Sequence, residues 1–160
     1  MALWPSLLVA GAFTIVGHPA LAQTAAPAGA EVYIIYPRDG QKIKGAFPVR
    51  FGLKGMGVTR AGDTAPNVGH HHLLVDAEGE LSSTDPIPTD RKHLHFGGGQ
   101  TETQLDLPPG RHTLQLVLGD AEHKLFKPAV MSKRVTVTVL DPMAPAEKKR
   151  KNRRPRAAMK

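Results

Sequence analysis

Through the middle of the chain, apolar residues recur at every second position rather than every third or fourth. Phe47, Val49, Phe51 and Leu53 follow this spacing, as do Leu114, Leu116 and Leu118, and Val135, Val137 and Val139. Side chains of an extended chain point alternately to opposite faces, so the pattern predicts strands with one buried face. Val32–Tyr36 is β-branched and aromatic and predicts another strand, stopped by Pro37-Arg38-Asp39-Gly40, where Pro presets φ and Gly supplies a positive value. His71–Asp76, His93–Phe96 and Glu102–Leu107 complete a set of about seven. Pro48 marks its strand as an edge, or lies near a strand start. Short strands at this spacing, without helical periodicity, predict an all-β fold: an immunoglobulin-like antiparallel β-sandwich, with a small closed barrel as the alternative.

Between these strands run three stretches without periodicity: Lys54–Gly69, Ser82–Asp90 and Asp120–Met131. Loops of this length inside a compact domain are usually functional or mobile. The ends of the chain differ from its middle. Leu7–Val16 is almost wholly apolar, and Ala20-Leu21-Ala22 has the small-x-small spacing of a signal-peptidase site, so residues 1–22 are expected to be a cleaved secretory signal. The first six residues carry no Lys or Arg, which leaves an uncleaved anchor as the competitor, but Gly11, Gly17, His18 and Pro19 interrupt the run. Residues 23–30 form a flexible lead, 31–141 the domain, and 142–160 a basic, disordered tail.

Residues 141–160 hold eight Lys/Arg against Asp141 and Glu147, a net +6 of the chain's +7, so the domain itself is nearly neutral. That distribution argues against a nucleic-acid-binding domain, as does export. The expected location is periplasmic or secreted, where the tail can attract an anionic envelope polymer or lipid. With no cysteine, the domain has neither disulfides nor thiolate ligands.

Eight histidines are present; His18 falls within the signal, and five of the other seven lie in two clusters, His70-His71-His72 and His93-Leu94-His95. On strands, His70 and His72 share one face and His71 takes the other; His93 and His95 likewise share a face. If the two segments pair, same-face side chains stand roughly 5 Å apart at Cβ. Imidazoles at that spacing can converge on one ion, and neutral imidazole suits zinc, copper and nickel. The expected ligands are therefore His70, His72, His93 and His95, with His123 as a further one. Asp76 is placed to orient a ligand ring N–H, Met56 and Met131 are candidate soft ligands, and His112 is assigned to structure.

Phe51–Val58, Ala61-Gly62, Gly69–Asp76, His93–Glu102 and Leu105–His123 together resemble the bacterial DUF4399 family, over about residues 32–140. The resemblance implies an exported domain of unassigned activity, with the motif histidines as its site. It also implies a second histidine three residues after the one matching His123; Phe126 stands there in this chain.

The leading expectation is an exported protein that binds copper or zinc for metal handling or sensing. The alternative is a metal-free cell-envelope binding module. An enzyme is not expected. His-x-His strands are similar to those of copper/zinc superoxide dismutase, but cysteines and an Asp/His bridging pattern are missing, and Ser82, Ser83 and Ser132 lie outside any nucleophile elbow.

Overall fold

The computed structural model describes residues 23–143. The expected signal, residues 1–22, and most of the basic tail lie outside the described residues. Nine strands are described: β1 (Glu31–Tyr36), β2 (Gln41–Lys44), β3 (Phe47–Lys54), β4 (Gly57–Val58), β5 (Val68–Val75), β6 (His93–Phe96), β7 (Glu102–Leu105), β8 (Gly110–Gly119) and β9 (Val135–Leu140). They form two sheets, a small one ordered β1-β3-β7 and a large one ordered β2-β9-β8-β5-β4, with β6 also paired to β5.

The period-two positions supply the core of this sandwich-like arrangement. Val32, Phe47, Val49, Phe51 and Leu105 from the small sheet meet Leu73, Val75, Leu114, Leu116, Leu118, Val137 and Val139 from the large one in a single cluster. Fully burying each such side chain contributes about 1.5–3 kcal/mol. A second cluster, Leu74, Ala77, Ile87, Val117 and Leu125, lies on the outer face of the large sheet. The loops that follow β5 and β8 therefore cover that face, and β5 is buried on both sides: Gly69 to Val75 are all buried.

Several expectations are corrected. Sequence periodicity missed β2 and β4 because each is short and is held by a parallel partner, β2 by β9 and β4 by the start of β5. The large sheet is therefore not wholly antiparallel, whereas the small one is. The third predicted strand begins at Val68 rather than His71, within what reads as loop. Pro48 sits at the second residue of β3, as a strand-start proline should, but β3 is the centre of its sheet and not an edge.

Candidate metal centre

Strand β5 pairs with β8 on one side and β6 on the other, and the registers determine what surrounds its histidines. His72 stands opposite Val117 on β8 and His95 on β6, while His70 stands opposite Gly119. His70 and His72 share the outer face of the large sheet with Leu74. Both rings are fully buried, and their Nε2 atoms lie 3.1 Å apart. The His95 ring is 5.1 Å from that of His70 and 5.0 Å from that of His72, centroid to centroid. His123, from the loop after β8, closes the group at 4.9 Å from His70, 4.8 Å from His95 and 6.0 Å from His72. Ligand atoms of His70, His72 and His95 all lie within 4.8 Å of one another. Tetrahedral coordination with bonds of 2.0–2.1 Å places donor atoms about 3.3 Å apart, so the group needs only modest contraction to hold one ion.

Two glycines leave room for these rings. A Cβ at Gly119 would lie 2.9 Å from Nε2 of His72 and 3.5 Å from Nε2 of His70, among the donor atoms themselves. A Cβ at Gly97 would lie 2.4 Å from Cε1 of His95. The loop between β4 and β5 bridges the segments of His95 and His123: the Ala61 amide donates to the Gly97 carbonyl at 2.9 Å and the Gly62 amide to the Ala121 carbonyl at 3.2 Å. The long aperiodic stretch at Lys54–Gly69 thus borders the site.

The electrostatics favour neutral rings. Burial, together with the neighbouring His123 and His95, lowers the pKa of His70 to about 4. His72 falls to about 3, again through burial first and then the adjacent His70, His95 and His123. His95 is lowered by burial and by His123. Protons therefore do not compete for these nitrogens near neutrality. Nδ1 of His72 and Nε2 of His95 are buried without a hydrogen-bond partner among the described residues. Each such orphan costs about 1–3 kcal/mol, and an ion coordinated by Nε2 of His95 would offset that ring's share. The donor set fits zinc or copper: it is all imidazole and contains no sulfur.

The other expected participants lie elsewhere. His93 has the face parity predicted for it, but the register sets it opposite Leu74 rather than a histidine. Its Nδ1 is 2.9 Å from Oδ1 of Asp90, and it lines a separate cleft with Glu78, Glu80 and Asp85. Asp76 orients a histidine, though not one of this group: Nδ1–H of His112 donates to its Oδ2 at 2.7 Å, and the Thr113 amide donates to its Oδ1. Nε2–H of His112 donates to the Pro108 carbonyl at 2.9 Å, which confirms a structural role for this residue. His71 faces the inter-sheet core, where Nδ1–H donates to the Gln100 carbonyl at 3.2 Å and the ring packs 5.1 Å from Phe51. Met56 packs against the inter-sheet cluster and Met131 against the outer one, so neither joins the imidazoles. Phe126 is likewise buried in the inter-sheet core.

Sequence reading missed Asp120 as well as the two glycines. Its buried carboxylate accepts the amides of Glu122 and Lys124 through Oδ1 at 2.9 Å each, and its carbonyl accepts the His123 amide at 3.0 Å. A short acidic side chain at a loop start that captures later amides is a recognisable turn signal. What it positions is visible only in three dimensions.

A search of curated proteins finds no match. Among solved structures, the chain is similar to an endo-β-1,4-mannanase from Thermotoga petrophila at 19% identity and a TM-score of 0.42, covering 70% of this chain and 20% of that one. This chain thus spans about a fifth of that enzyme's length, and the likeness is too weak to carry function. The profile of the DUF4399 domain of unknown function matches residues 49–140, more than half of the chain and inclusive of every histidine of the group, and the chain therefore belongs to the DUF4399 family.

Proposed function

We propose that this chain is an exported, immunoglobulin-like β protein that binds one transition-metal ion, copper or zinc, through His70, His72, His95 and His123. Its role is then metal handling or sensing, as a binding protein rather than an enzyme. Export rests on the apolar run and the Ala20-Leu21-Ala22 signature. The observation that supports metal binding is the convergence of four imidazoles from three separate segments, with ligand atoms of His70, His72 and His95 all within 4.8 Å of one another.

The test is titration of untagged protein with Zn(II) and Cu(II), followed by calorimetry and thermal melting. The expected result is one equivalent bound and, at a hundredfold excess over Kd, about 2.7 kcal/mol of added stability. The His70/His72/His95→Ala variant should lose the uptake while keeping its strand circular dichroism. An unchanged melting curve with both ions overturns the proposal. Chelator-resistant, salt-sensitive binding to an anionic envelope polymer would instead favour the metal-free envelope module.

A further inference from the structure

His123 is the one member of the group that no strand holds. It sits in the left-handed region at φ +65°, a conformation that costs a non-glycine residue about 1–2 kcal/mol, so something must impose it. The loop's own share is the Asp120 turn, and the Ile87 amide, from the loop after β5, donates to the His123 carbonyl at 2.7 Å. The remaining constraint comes from far away in sequence. Oγ1–H of Thr24 donates to Oδ2 of Asp120 at 2.7 Å, a contact spanning 96 residues. The Lys127 amide donates to the Thr24 carbonyl at 2.9 Å, and the Ala26 amide to the Lys127 carbonyl at 3.0 Å, forming a short parallel bridge. The Gln23 side-chain amide reaches the Leu125 carbonyl at 3.4 Å and also the Ser83 carbonyl.

Residues 23–26 therefore run along the His123 loop and hold it at both ends, at Asp120 and at Lys127. The hydroxyl of Thr24 is the contact nearest the ligand in this set, and it takes the one Asp120 oxygen that the local turn leaves open. From this arrangement we infer that Thr24 and Asp120 are positioning residues for His123. The N-terminal strap keeps the fourth imidazole aimed at the other three, and an ion bound there in turn holds the strap in place. The inference rests on the metal-binding reading above. Because coupling between two events is reciprocal, strap docking and ion binding must strengthen each other by the same factor.

The experiment is a double-mutant cycle on the full chain, with Zn(II) affinity measured by calorimetry in wild type, Thr24→Val, His123→Ala and the double variant. Thr24→Val keeps the side-chain shape and removes the hydroxyl. It should weaken zinc binding about tenfold, the size of effect typical when a residue that supports a ligand is lost. The same substitution in the His123→Ala background should change affinity less than twofold, because the residue it positions is gone. Thr24→Ser retains the hydroxyl and should restore wild-type affinity. Undiminished binding by Thr24→Val, or an equal loss with and without His123, overturns the inference and leaves the metal site standing. Absence of binding of both Zn(II) and Cu(II) by the wild type, with a normal fold, removes the metal reading and this inference together; if Cu(II) alone binds, the same cycle read with Cu(II) carries the same two outcomes.

Discussion

His71 lies between two proposed ligands in sequence, yet a strand turns it to the opposite face, against Phe51 in the core. His71→Ala should therefore destabilise the domain by about 2–4 kcal/mol in urea unfolding, the cost of a core cavity partly offset by removal of the unpartnered Nε2. Zinc affinity of the folded fraction should stay near wild type. His93→Ala should also leave zinc affinity unchanged, because that ring is held at Asp90 and not in the group. A tenfold loss for either variant in calorimetry would place the site differently from the geometry described here. Gly119 makes the complementary case. Gly119→Ala removes no ligand but puts a methyl group 2.9 Å from Nε2 of His72, so zinc affinity should fall at least tenfold. Normal zinc uptake by this variant would show that the ion does not sit between His70 and His72.

At the scale of elements, β5 is the strand on which the others depend. Its middle carries His70 and His72, and Asp76, just after its C-terminal end, ties it to β8 through His112. Both nitrogens of His112 face acceptors, the Asp76 carboxylate and the Pro108 carbonyl, an arrangement satisfied only by the doubly protonated ring. Burial works against that charge, but the hydrogen bonds from His112 to Asp76 and Pro108 outweigh it and raise the pKa above 6.5. Burial also opposes ionisation of Asp76, yet the hydrogen bonds from His112 and Thr113 hold its pKa below 3.8. The sign follows by linkage. The His112 contribution is full below pH 6.5 and is lost as pH rises through its raised folded value. The Asp76 contribution is present above pH 3.8 and is lost as pH falls through its lowered one. Metal-free wild type should therefore exceed His112→Gln in stability most clearly between about pH 4 and 6.5. The difference should shrink above neutrality in urea titrations run across pH, and a difference that grew with pH would contradict the assignment.

The elements also show which parts of the site were legible. Alternation along β5 was enough to separate His71 from His70 and His72, because side-chain direction on a strand is a local property. It could not separate His93 from His95. Both have the same parity, and only the register, which sets His95 opposite His72 and His93 opposite Leu74, makes the distinction. Asp76 illustrates the same limit: a carboxylate near a histidine cluster in sequence serves a histidine 36 residues away.

For the whole molecule, composition and pattern determined the class. Period-two apolar positions, Gly/Pro/Asp turns and the absence of helical spacing dictate two faces of buried strands, and those positions are the inter-sheet core observed. The clustered histidines likewise announced a chemistry in the sequence alone, because a run of three imidazoles and an echo on a second strand is a local arrangement. The tertiary structure alone decided that the site lies on the outer face of the large sheet, under loops, and not between the sheets. It also decided that the His123 ring stands beside those of His70 and His95 while His93 is held at Asp90, that Gly97 and Gly119 leave the space, and that residues 23–26 run along the His123 loop. Those choices depend on strand register and on contacts spanning up to about a hundred residues. Each is settled by the total free energy of packing the chain, which no window of neighbouring residues contains.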